Sequence, residues 1–92
     1  EPVAALDLAH QQQLMRLLRL LCQQGVAVLV VLHDINLASM YADTVAVLHE
    51  GCLFAMGEPR AVINSDLLAR VYGFDGRIVA HPDTQTPMFL PR

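Results

Sequence analysis

Residues 26–38 read VAVLVVLHDINLA, and this stretch decides what kind of sheet the chain builds. Seven apolar residues in a row (Val26, Ala27, Val28, Leu29, Val30, Val31, Leu32) stop at His33 and Asp34, and an amphipathic pattern then begins. β-branched content and a seven-residue length favour a strand covered on both faces, as parallel strands are. Ahead of it, Leu14, Leu17, Leu18 and Leu21 recur at i, i+3, i+4 and i+7 among Gln and Arg. That spacing predicts an amphipathic helix of about four turns, with Asp7 as N-cap and Gly25 just past its end. Behind the apolar run, Asp34 can cap a short helix, INLASMYA, with Ile35, Leu37, Ala38 and Tyr41 packing on the sheet.

Further along, TVAVLHEGCLFAMG reads as strands over 44–49 and 52–56 joined at Glu50-Gly51, a pair with Gly second that signals a hairpin. Pro59 suits the first turn of a helical piece over 60–63. Ser65 is the expected cap of DLLARVY, which Gly73 ends. The tail offers short strands over 77–81 and 88–90 around a loop rich in Pro, Asp and Thr. The expected class is α/β: a parallel strand with flanking helices, then β-hairpins and a short helical segment, like the second half of a parallel sheet with an antiparallel extension.

Composition narrows the options. A hydrophobic fraction of 54% and a mean hydropathy of +0.41 are high for 92 residues, and suggest that some apolar surface is meant for further neighbours. No apolar run approaches the roughly 18 residues that span a bilayer. There is no basic start ahead of an apolar core, and the opening EPVAALD reads like the middle of something. A net charge of −3 argues against nucleic acid as partner. All six basic residues are Arg, so the chain cannot supply the lysine of a phosphate-binding P-loop. Cys22 and Cys52 read as two buried small hydrophobes in a reducing compartment rather than a disulfide.

Ligands of open α/β sheets bind beyond the carboxyl ends of the strands, which is where His33 stands. An imidazole there can bond a phosphate or an attacking water; it can equally be a strand-end histidine satisfied by backbone. His10 lies on a Gln-rich helical face and reads as solvated. His49 and His81 close strands, and their spacing to His33, Cys22 or Cys52 matches no metal motif, so no metal site is expected. Met15, Met40, Met56 and Met88 read as scattered gap-fillers.

EPVAALD, a helix, and an apolar strand ending in His-Asp about 25 residues on together resemble the ATP-binding-cassette (ABC) ATPases. In that family an apolar strand ends in Asp-Glu, the close of the Walker B motif, followed by a Pro and the D-loop. Glu1 matches the catalytic carboxylate, Ala4, Ala5, Leu6 and Asp7 match the D-loop, and His33 matches the switch-loop histidine. Val3 departs mildly, standing where the family commonly has Thr or Ser. The segment YADTVAVLHEGCLFAMGEPRAVINSDLLARVYG also looks like the family's segment after the switch histidine, so the resemblance covers nearly the whole chain. The ending GRIVAHPDTQTPMFLPR is similar to that of importer ATPases for haem, ferric siderophores and cobalamin, with haemin importers the specific expectation.

The resemblance implies that residues 1–92 are the C-terminal part of a P-loop NTPase domain, cut inside Walker B, with the P-loop, Q-loop and signature motif upstream. It implies ATP and Mg²⁺, held mainly by residues outside this chain, with Glu1 orienting or deprotonating the attacking water and His33 bonding the terminal phosphate. The implied partners are a second copy in a head-to-tail dimer meeting at Ala4–Asp7, transmembrane permease subunits and, indirectly, a periplasmic substrate-binding protein. The implied location is peripheral, on the cytoplasmic side of the inner membrane. A different class remains open: a non-catalytic α/β interaction or regulatory module in which Glu1 and His33 can be replaced without consequence. The 92 residues by themselves are expected neither to bind ATP tightly nor to hydrolyse it; turnover by a pure sample of this chain would contradict that.

Overall fold

The leucine spacing at the start of the chain does form a helix, α1 (Leu8–Gln23), in the computed structural model, which describes residues 8–73 and 75–91. Its Asp7 cap, expected from sequence, lies outside the described residues. Gly25 ends the helix as expected, at φ +89°, where a side chain would be strained. The Gly25 N–H donates to the Cys22 carbonyl and the Val26 N–H to the Leu21 carbonyl, each at 3.0 Å, the paired bonds of a Schellman stop. Met15, read from sequence as a gap-filler, is the buried residue of α1, whereas Leu17 of the expected apolar stripe is half exposed.

The described residues divide into two units, one ending at His33 and one beginning at Asp34. Within the first, residues 26–32 differ from expectation: they pair with no strand, and Leu29 is 95% exposed. The physical reason is that a parallel strand exists only through a neighbour, and the ladders among the described residues are both antiparallel hairpins further on. Seven apolar residues therefore stand outside any strand or helix.

The second unit opens with α2 (Ile35–Tyr41), capped by Asp34. The hairpin β1 (Val45–His49) and β2 (Cys52–Gly57) follows, antiparallel, with a bulge after Val47. Glu50 and Gly51 both take positive φ, 52° and 77°, as the twist of a two-residue hairpin requires. One face of this hairpin is covered through Val47 and Ala55, while Leu48, Leu53 and Met56 are exposed. Cys52, expected to be buried, is exposed at the start of β2, and Cys22 is half-buried; both are free thiols.

Pro59 begins α3 (Pro59–Val62), where its missing N–H has no partner to lose. The cap of α4 (Ser65–Leu67) is Asn64, not Ser65: the Asn64 side-chain oxygen accepts from the Leu67 N–H at 2.9 Å. Asn and Ser cap about equally well, so sequence alone could not separate adjacent candidates. The chain continues into a wider π-type turn over Leu68–Tyr72, and Gly73 stops it in the left-handed region at φ 68°. Val47, Val62, Ile63 and Leu67 form the core of this unit, with Ile35, Val45, Ala55, Val71 and Ile78 packed around them.

The last hairpin pairs β3 (Gly76–Ala80) with β4 (Pro87–Pro91), so β3 is shifted one residue towards the N-terminus of the expected strand and β4 is one residue longer at each end. Gly76 faces the Phe89 ring. A Cβ there would stand 2.6 Å from the Leu90 carbonyl oxygen and would also collide with Phe89 Cε1 and Cζ. Gly76→Ala is therefore expected to destabilise the protein by about 1–3 kcal/mol, because the obstruction includes backbone that cannot swing aside. Urea denaturation of the variant beside the parent measures it, and an unchanged midpoint would contradict it.

Candidate functional site

Of the residues singled out from sequence, Glu1, Ala4, Ala5, Leu6 and Asp7 lie outside the described residues. His33 is described. It is exposed and ends the apolar run, one residue before the cap of α2. Asp34 holds extended backbone, φ −85° and ψ 108°, and its Oδ1 accepts from the Asn36 N–H at 2.9 Å and the Leu37 N–H at 3.1 Å. The abrupt change from apolar run to His-Asp thus has a local cause at Asp34: two backbone donors of the first helical turn need an acceptor.

Two polar side chains of α2 carry structure that the apolar reading of this helix missed. The Asn36 Nδ2 donates to the Phe89 carbonyl at 3.0 Å, while its Oδ1 accepts from the Phe89 N–H at 2.6 Å. One amide thereby bonds both polar groups of one β4 residue, as a neighbouring strand would. Ser39, fully buried, donates from Oγ to the Pro87 carbonyl. Asn36 and Ser39 are three residues apart, so they share a helix face. Polar residues at that spacing among Ile35, Leu37, Ala38 and Met40 were the available signal.

Two of the remaining histidines, His81 and His49, have local roles. His81 Nδ1 faces the Asp83 N–H at 3.1 Å and the Thr84 N–H at 3.4 Å, which closes the turn between β3 and β4. The His49 ring meets Phe54 edge to face, with centroids 6.2 Å apart, and Nε2 lies 3.7 Å from Glu50. Among the described residues no three His, Cys, Asp or Glu side chains come together as a metal site, and no helix is long and apolar enough to cross a membrane.

No protein-family model matches the chain. Curated relatives do. The hemin import ATP-binding protein HmuV of Rhodococcus jostii is 50% identical over 92 residues, which is 100% of this chain and 32% of that protein. The protein of the same name from Thermobifida fusca is 47% identical over 91 residues, or 99% and 32% of the two lengths. Along its whole length the chain is similar to the C-terminal part of these ATP-binding proteins. It spans about a third of the length of the curated relatives it matches, in their C-terminal part. A solved metal-chelate-type ABC transporter in an inward-facing conformation superposes with a TM-score of 0.83 at 26% identity, over 100% of this chain and 38% of that one. The ABC ATPase fold of that neighbour accounts for the mixture of helices and antiparallel hairpins seen here.

Proposed function

We propose that this chain is the C-terminal segment of the ATP-hydrolysing subunit that powers import of haemin, or a related iron chelate or corrinoid, across the cytoplasmic membrane. The observation carrying the proposal is identity of 42–50%, along essentially the whole chain, to proteins named for hemin import. In this reading residues 1–92 run from the catalytic carboxylate of Walker B, Glu1, through the D-loop, Ala4 to Asp7, to the switch histidine, His33, and the C-terminal segment. The chain has no Lys and no Gly-rich loop, so ATP and Mg²⁺ are gripped by residues outside it.

Each side chain has a physical task. A carboxylate such as Glu1 accepts a proton from the attacking water or orients it. His33, at the exposed end of the apolar run, supplies a donor to the terminal phosphate, where negative charge must be stabilised during transfer. Asp7 and its neighbours meet a second copy head to tail, and the subunit docks peripherally on permease subunits at the cytoplasmic face.

The test is uptake by source cells lacking the gene, supplied in turn with radiolabelled haemin, a ferric siderophore and cobalamin. Loss of haemin uptake, restored by the intact gene, is expected. Unchanged uptake of all three would overturn the proposal.

A further inference from the structure

We propose that His81 is a pH-sensitive latch of the turn between β3 and β4, closed while the imidazole is neutral and released when the ring takes up a second proton. Residues 81–86 read HPDTQT. The His81 N–H donates to the Thr86 carbonyl at 2.8 Å, and the Gln85 N–H donates to the His81 carbonyl at 2.9 Å. Inside that frame the half-buried His81 ring closes the turn. The N–H groups of Asp83, at 3.1 Å, and Thr84, at 3.4 Å, both donate to its Nδ1. Two donors need an acceptor, so Nδ1 is bare and the ring proton sits on Nε2. Carboxylate or amide oxygens commonly perform this task in turns and caps; here it falls to an acceptor that titrates near neutral pH.

An imidazolium carries a proton on each nitrogen. Nδ1 then becomes a donor facing two donors, and the turn loses both bonds together. Gln85 gives the turn a reason to relax when they go. It holds φ at 62°, in the left-handed region that a glutamine rarely adopts, and stays there only while its surroundings enforce it. The ionisable side chains on the elements packed with this hairpin are Arg77 on β3, Asp66 on α4 and Tyr41 on α2; β4 carries none, and Asp83 stands in the turn itself. Of these residue types and histidine, only histidine ordinarily changes charge between about pH 5 and 8. The direction follows from the bonds: the closed turn holds the neutral ring, so it is complete at the alkaline end of that range and lost as pH falls. Just beyond the turn the buried Ser39 hydroxyl holds the Pro87 carbonyl, so release stays within residues 81–86 and the ladder of β3 and β4 persists.

The experiment is nuclear magnetic resonance of the isotope-labelled full-length protein, titrated from about pH 8 down to about pH 5. At the alkaline end the His81 ring should show the Nε2–H tautomer. Amide-exchange protection of Asp83 and Thr84, corrected for the intrinsic effect of pH, should fall about tenfold across the titration, in step with the His81 ring signals. The amides of Val79 and Met88, paired in the ladder, should keep theirs. His81→Asn supplies an acceptor that does not titrate, so its protection should be the same at both ends. Asp83→Asn should leave the response in place. An Nδ1–H tautomer at the alkaline end, protection of Asp83 and Thr84 that ignores pH, a response that survives in His81→Asn, or one that vanishes in Asp83→Asn would each overturn the latch.

Discussion

Replacing His33 by alanine in the full-length protein is expected to lower kcat for ATP hydrolysis about 100-fold or more, with little change in KM. The magnitude is what removing one well-placed donor from a developing negative charge costs. Because the His33 side chain is exposed, the substitution opens no cavity in a core. His33→Gln retains a donor of shorter reach and should fall between the two. Steady-state phosphate release with Mg²⁺-ATP decides it. A loss below threefold would place His33 among strand-end histidines without a part in hydrolysis.

The largest expected effect on stability belongs to Ile63→Ala. Ile63 is 2% exposed and sits between α3 and α4 in the core formed with Val47, Val62 and Leu67. Truncation removes buried methyl and methylene groups and leaves a cavity lined by those neighbours, a change that costs about 2–5 kcal/mol. Domains are stable by only about 5–15 kcal/mol, so this is a substantial share. Ile63→Val, which deletes one methylene, should cost about 0.5–1.5 kcal/mol. Urea denaturation of the three proteins side by side gives the series. Equal midpoints for Ile63→Ala and the parent would mean that this core does not hold the unit together.

Local elements were legible in the sequence because their causes are local. The leucine spacing announces α1, Gly25 and Gly73 stop helices in the left-handed region, and Glu50-Gly51 turns the first hairpin. Asp34 was readable as a cap for the same reason. Residues 26–32 show the limit: their composition calls for a strand between two others, yet composition cannot provide the neighbours, and without a ladder these seven residues form no strand. Asn36 was missed because its partner, Phe89, lies 53 positions away, and a bond that distant leaves no trace in spacing. The choice of Asn64 over Ser65 turned on one residue of backbone geometry. The roles of Glu1, Ala4 to Asp7 and His33 came from a family resemblance rather than from periodicity, since no pattern within the chain carries them.

The most direct test of the central claim is to read the coding sequence upstream of the codon for Glu1. An ATP-hydrolysing import subunit requires a Gly-x-x-x-x-Gly-Lys-(Ser/Thr) loop, a Leu-Ser-Gly-Gly-Gln signature and an Asp codon immediately before Glu1. An initiation codon close upstream with none of these would contradict the catalytic roles given to Glu1 and His33.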